Sequence, residues 1–204
     1  MWFSTLFWAV AMASLATAMP RHETRGAFSA KGVIEKQWKS TNIKLLATLN
    51  FVPFELTNVR LECDADPDRF TPSNYTCGFT FDWSDPNSVK YNNVSSATCK
   101  SSWNWWVNTT IGGEDTPMDV PYSSCWQDER TYFAMRLKAF YDPGNFTVQL
   151  ARSYHDPDNF TAPWDYPTTF AQPTFTLPKE DGNWRSIVHS DPGPIEAVIM
   201  GLSN

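Results

Sequence analysis

The chain has 204 residues, a formal net charge of -6 and an isoelectric point near 5.0. That length suits one domain with a substantial core and is short for two. An acidic chain without a basic face has little with which to neutralise a run of phosphates, which argues against nucleic acid as a partner.

Residues 1–18 carry no charged side chain, hold an apolar stretch over 3–16, and end in Ala16-Thr17-Ala18. This is the pattern of a signal peptide with a small-x-small cleavage site. The stretch is shorter than the roughly 20 apolar residues a membrane-spanning helix needs, so a cleaved signal peptide is expected and an uncleaved signal anchor is the rival. No second hydrophobic span occurs, and the C-terminal cluster Ile195, Val198, Ile199 and Met200 is too short for a lipid-anchor signal. A secreted, extracellular protein without a membrane span is therefore expected. Residues 19–37, with the polar run Arg21, His22, Glu23, Thr24, Arg25, read as a disordered leader. Residues 38–204 read as a single β domain that is rich in proline from about residue 155.

Within that domain apolar and polar residues alternate repeatedly, the mark of strands with one buried face, whereas helical periodicity is scarce. Residues 43–51 form the first expected strand, ended by Pro53. Residues 54–63 form the second. Phe54 and Leu56 occupy one parity there and Val59, Leu61 and Cys63 the other, so a bulge near Thr57-Asn58 is needed to restore the face. A loop over 64–73 leads to the third strand, 77–83, and the turn Asp85-Pro86-Asn87 leads towards the fourth, 99–107. After a loop over 111–124, residues 131–140 point Phe133, Met135 and Leu137 inward and Arg136 and Lys138 outward. The turn Asp142-Pro143-Gly144 joins them in a hairpin to residues 146–152. Residues 168–177 are expected to be an edge strand, because a proline inside them lacks a ladder donor, and 195–200 a last short strand. The expected fold is all-β: an antiparallel β-sandwich or open β-barrel of about seven or eight strands, disulfide-bonded.

Four cysteines, Cys63, Cys77, Cys99 and Cys125, form an even set without CxxC or Cys/His zinc spacing, so disulfides are expected and no metal. Three connectivities are open. Sequential pairing, Cys63 with Cys77 and Cys99 with Cys125, closes loops worth about 3 kcal/mol each and is the working expectation. Five N-x-S/T acceptors occur, at Asn74, Asn93, Asn108, Asn145 and Asn159. Parity tests them, since a glycan needs the wet face of a strand. Cys77, Phe79, Phe81 and Trp83 alternate with Asn74, Thr76, Gly78, Thr80 and Asp82; Cys99, Ser101, Trp103, Trp105 and Val107 alternate with Lys100, Ser102, Asn104, Trp106 and Asn108; Phe146, Val148 and Leu150 alternate with Asn145, Thr147 and Gln149. In these three strands Asn74, Asn108 and Asn145 fall on the polar parity and Cys77 and Cys99 on the apolar one.

The run Leu61-Glu62-Cys63-Asp64-Ala65-Asp66, followed by Tyr75-Thr76-Cys77-Gly78-Phe79-Thr80-Phe81 and preceded by Trp38, resembles the paired-cysteine core of secreted fungal proteins related to the Alternaria major allergen. The resemblance spans about residues 38–150. It implies a disulfide-bonded β-barrel or sandwich with sequential pairing and no catalytic residues, some members acting as effectors that meet host defence proteins.

Other constellations are weaker. The run Asp64-Ala65-Asp66-Pro67-Asp68 opens like an EF-hand loop but has Arg69 where glycine is needed and Tyr75 where the bidentate glutamate belongs. His22 would be an N-terminal copper ligand only if processing fell after Arg21, with His155 or His189 as a second imidazole that nothing in the sequence places nearby. Carboxylates for glycoside hydrolysis can be drawn from Asp82, Asp85, Glu114, Asp115, Asp119, Asp128 and Glu129, all read as solvated surface, and no G-x-S-x-G elbow exists. No cofactor is implied. Trp103 and Trp105 share the cysteine parity and read as core, leaving Trp106 as the candidate binding residue, a flat ring able to stack on a sugar or a partner side chain. The leading expectation is a secreted, non-enzymatic effector or allergen-like protein that binds an extracellular protein or small ligand, host-derived in the effector case. The alternatives are a cell-wall carbohydrate-binding or carbohydrate-active protein and a purely protective surface protein.

Overall fold

The computed structural model describes residues 49–66, 73–87, 92, 94–112, 120–180 and 182–203. The expected signal peptide, the leader, residues 43–48 and Asn93 lie outside them. Among the described residues twelve strands run in chain order: β1 (Phe54–Ala65), β2 (Asn74–Ser84), β3 (Ser96–Trp106), β4 (Ile111–Gly112), β5 (Ser123–Gln127), β6 (Tyr132–Asp142), β7 (Asn145–Ser153), β8 (Thr168–Ala171), β9 (Thr174–Thr176), β10 (Ser186–Asp191), β11 (Ile195–Ala197) and β12 (Ile199–Ser203). They make two antiparallel sheets and not a closed barrel. The first has the order β10-β1-β2-β3 with β11 also on β1; the second has the order β12-β8-β7-β6-β4 with β5 on β6 and β9 on β7. Among the described residues no helix is long and apolar enough to cross a membrane.

The alternation read from the sequence places the core. Cys77, Phe79, Phe81, Trp83, Cys99 and Trp105 are buried, while Lys100, Ser102, Asn104 and Trp106 are exposed. The register of β1 on β2 shifts between Thr57 and Arg60, with Asn58 at φ 52°, and so both Leu56 and Val59 point inward. Aromatic rings from the two sheets interlock across the interface: Phe79 meets Phe146 at 5.0 Å edge to face, Trp83 meets Phe133 at 4.8 Å, and Trp103 meets Phe140 at 5.3 Å. Such edge-to-face pairs add to the large apolar area each ring removes from water. Cys63 pairs with its cross-strand neighbour Cys77, and Cys99 on β3 pairs with Cys125 on β5, which ties the edge of the first sheet to the second.

The hairpin of β6 and β7 forms around Asp142-Pro143-Gly144, where Gly144 N–H donates to Asp142 Oδ1 at 2.7 Å. Several other expectations are corrected. Residues 49–51 are not in a strand. The loop expected over 111–124 contains β4 and the start of β5, and Asn108 sits in the turn after β3 at φ 63°. Residues 168–177 are two strands split at Gln172-Pro173, and β8 is internal because β12 covers its free side. The expected last strand is also two. The chain pairs with β1 through Ala197, crosses at Val198, and pairs with β8 from Ile199, so one short segment stitches both sheets. Strand β10 carried too little periodicity to be expected; Gly193, at φ 77°, then brings the chain back to β1, where a Cβ would lie 2.5 Å from Leu56 O.

The polar parity of the second sheet is buried rather than wet. Arg136, Thr147 and Gln149 are 9%, 8% and 0% exposed. They are tolerated because they are bonded: Arg136 Nε and Tyr122 Oη both donate to Gln149 Oε1, at 2.6 and 2.7 Å, Arg136 lies over the Tyr122 ring, and Thr147 Oγ1 shares a hydrogen bond with Thr174 Oγ1 at 2.9 Å. We expect Cys99→Ala/Cys125→Ala to lower stability to urea by about 3 kcal/mol, and a loss well under ~1 kcal/mol would mean that the β3–β5 contact holds without the bridge.

Candidate functional site

The strand register gives the sandwich two ends. At one end lie Asn74, Trp106, Asp142 and Asn145, where β2 and β7 begin and β3 and β6 finish; at the other lie Ser84, Ser96, Tyr132 and Ser153.

The first end collects apolar rings that remain in water. Trp106 is 49% exposed, Tyr141 49% and Trp184 50%, and Trp184 is tied there by its carbonyl, which accepts from Tyr75 Oη at 2.8 Å. Trp105 turns inward beside Tyr75, as its parity required, and Trp103 packs partly buried against the core. Asn108 and Asn145 are exposed at this end, whereas Asn74, opposite Trp106 on the neighbouring strand, is half-buried. Asn159 is exposed in a loop at the other end, its amide donating to Asp156.

Between the ends, the outer face of the first sheet has a shallow groove of about 280 Å³ over Gly78, lined by Arg60, Glu62, Asp64, Thr76, Thr80 and Ser102. Gly78 is what opens it: a Cβ there would meet nothing nearer than Glu62 O at 3.9 Å. Arg60 is held over the face by Glu180 at 3.1 Å and Glu62 at 3.4 Å.

The second end is built on two charges that share the apolar parity of their strands. Arg152 continues the Phe146, Val148, Leu150 series and Asp85 the Phe79, Phe81, Trp83 series, so both enter the core, 0% and 1% exposed. Asp85, read from the sequence as solvated, is therefore a correction. Arg152 Nε lies 3.4 Å from Asp85 Oδ2, an ion contact rather than an aligned hydrogen bond. The guanidinium also donates to the carbonyls of Tyr132 at 3.3 Å, Val94 at 2.9 Å and Ser153, and its Cζ sits 4.0 Å from the Phe133 ring centroid. Asp85 Oδ1 accepts from the backbone and side-chain amides of Asn87, both at 3.0 Å. Burial dominates both titrations. It pushes the Asp85 carboxyl above its ordinary value despite Arg152, and it pulls Arg152 down to about 10 despite Asp85. Burial likewise pushes the Tyr132 phenol up to about 12 and raises that of Tyr154.

Outside this pair opens the larger cavity, of about 460 Å³, lined by Asn92, Asp128, Glu129, Arg130, Thr131, His155 and Tyr166. His155 stacks on Tyr166 with ring centroids 4.6 Å apart and planes 15° apart, and its Nε2 lies 2.9 Å from Asp165 Oδ2. Asn92 clamps the His155 backbone from both sides, accepting from its N–H at 2.8 Å and donating to its carbonyl at 3.3 Å. Arg130 lays its guanidinium 5.0 Å from the Tyr166 centroid. Asp128 lines the opening, and its Oδ1 accepts from the N–H groups of Arg130 and Thr131 at 3.1 and 3.0 Å. Burial alone would raise Asp128, but those bonds outweigh it and hold the carboxyl below its ordinary value.

The sequence-derived candidate Trp106 is thus exposed, as expected, but at the end opposite the larger cavity. Of the drawn carboxylates, Asp82 is occupied by Asn58 and Thr98, Asp128 and Glu129 reach the cavity, and Glu114, Asp115 and Asp119 lie outside the described residues, as does His22. Among the described residues no group of three His, Cys, Asp or Glu could hold a metal ion. His189 binds Leu177 O at 2.8 Å, away from His155. Sequence reasoning missed Arg130, Asp165 and Tyr166 and named His155 only as a second imidazole for copper; all four come from loops without periodic signal. Arg152 and Asp85 did carry one, a charge in phase with a buried series. No family model matches the chain, and neither a curated protein nor a solved structure matches it.

Asp85→Ala strands a buried guanidinium and is expected to cost about 3–5 kcal/mol in urea unfolding, with Asp85→Ala/Arg152→Met recovering part of the loss. A cost for Asp85→Ala below ~1 kcal/mol would show that the pair does not hold this end.

Proposed function

We propose that this is a secreted, non-enzymatic binding protein of effector or allergen-like type, which takes a small extracellular ligand with an anionic group in the cavity between Arg130, Tyr166 and His155. The observation that carries the reading is the Arg130 guanidinium, its Cζ 5.0 Å from the Tyr166 ring centroid, in the lining of the 460 Å³ cavity, with a wall already fixed in place. A guanidinium in such a lining offers its N–H fork to a carboxylate, sulfate or phosphate, and the rings beside it offer apolar contact to the rest of a ligand. Binding rather than turnover is supported by how His155 is used. Its Nε2 faces Asp165, its ring is stacked and its backbone is clamped by Asn92, all of which position it as wall. Two disulfides and the resemblance of the Cys63 and Cys77 runs to secreted fungal proteins support an extracellular setting.

A second reading, carbohydrate binding at a cell wall, is favoured by the open polar groove over Gly78, where hydroxyls of Thr76, Thr80 and Ser102 stand beside Arg60 and Glu62. Trp106 is not part of it. Ser102 faces Gly78, and Trp106 is four residues further along β3, roughly 13 Å away at strand rise.

Calorimetric titration with small aromatic carboxylates, aryl sulfates and aryl phosphates tests the first reading. At least one class should bind, and Arg130→Gln should weaken it about 10- to 100-fold, the worth of a charge-assisted hydrogen bond, while Gly78→Val leaves it unchanged. Binding indifferent to Arg130→Gln, or none at all, would overturn it. Retention on chitin or glucan that is lost in Gly78→Val would establish the second reading, since the added side chain enters the groove from a position where a Cβ meets nothing nearer than Glu62 O at 3.9 Å.

A further inference from the structure

We infer that Trp106 is the seat of the protein's own N-glycan at Asn74: the first N-acetylglucosamine of that glycan lies on the indole face. Asn74 and Trp106 are directly opposed on adjacent antiparallel strands, so both side chains leave the same face of the first sheet with Cβ atoms about 4.5–5.5 Å apart. Asn74 heads an N-x-T acceptor whose Thr76 is exposed on that same face. Its side chain is half-buried, with Oδ1 the buried atom of the amide. Trp106 is at once large, apolar and half in water at the last residue of β3, with none of the ring partners that hold Trp103 and Trp105 among the described residues. A pyranose presents a face of C–H groups to an aromatic ring, and covering the indole with one removes apolar surface from water without burying a hydroxyl. This reassigns Trp106 from a contact for a foreign ligand to a contact for the chain's own modification.

The transfer forms a bond from Asn74 Nδ2 to C1 of the terminal N-acetylglucosamine of a polyprenyl-diphosphate-linked oligosaccharide. The C1–O bond to the diphosphate breaks, the diphosphate leaves with that electron pair, and the amide nitrogen gives up one proton. The inference rests on passage through a secretory pathway and is independent of the ligand cavity.

The test uses the full chain secreted from a eukaryotic host, with glycopeptide mass mapping followed by trimming with an endoglycosidase that leaves one N-acetylglucosamine. Asn74 should be occupied. In a form with the other four acceptors changed to glutamine, the acetyl methyl and ring protons of the remaining sugar should show upfield ring-current shifts that vanish in Trp106→Ala and return in Trp106→Phe. An empty Asn74 in a chain occupied at Asn108 and Asn145 would overturn the inference and leave secretion standing. Sugar shifts unchanged by Trp106→Ala would overturn it as well.

Discussion

A guanidinium cannot be placed in a dry core without being surrounded by oxygen, and the burial of Arg152 imposes that requirement on four separate segments. Tyr132 at the start of β6, Val94 before β3, Ser153 at the end of β7 and Asp85 after β2 all turn an oxygen towards it. Removing both charges together is a smaller perturbation than removing one, because the cost lies in leaving a charge unpaired. The pair is therefore better understood as a device that fixes where four chain segments converge than as a source of net stability. Everything at this end is built outward from it: Ser95 and Asp85 are joined through the backbone, the Asp128 turn sits next to Tyr132, and His155 follows two residues after Ser153.

The consequence is a division of labour along the sandwich axis. The aromatic core and the Cys99–Cys125 disulfide hold the sheets together, the disulfide at the edge where, among the described residues, β3 pairs only with β2, while Cys63–Cys77 joins two neighbouring strands of one sheet. At the Arg152 end the loops carry charge, a stacked imidazole and a cavity. At the opposite end they carry exposed rings beside three glycan acceptors. A ring in water next to an acceptor asparagine has a resident candidate for cover, whereas a cavity walled by Arg130, Tyr166 and His155 has none within the described chain. That contrast is why the ligand reading is assigned to the charged end.

Much of the fold was legible because sheet physics writes itself in period two. The inward series ending at Trp83 and Trp105, the bulge at Asn58 and the hairpin at Asp142 each follow from local pattern. The pattern misled where burial came from a second layer. Thr147 and Gln149 are polar and alternate correctly, yet Thr174 bonds the first and Tyr122 the second, and no local signal records that. The split of 168–177 was hidden for a related reason: β8 is internal only because residues 199–203, distant in sequence, pair with it. The cavity was least legible, since His155, Asp165 and Tyr166 sit in irregular chain. The readable clue was the pair beneath them, two opposite charges each standing where its strand's parity demands an apolar residue.

The central claim, that Arg152 organises the charged end and that end alone, is tested most directly by amide hydrogen exchange on Arg152→Met. Protection should fall at Asp85, Asn87, Thr131 and His155, whose N–H bonds close the turns around the cavity, and stay unchanged at Val107 and Leu177 at the opposite end. Unchanged exchange at the first four amides, or an equal loss at both ends, would contradict it.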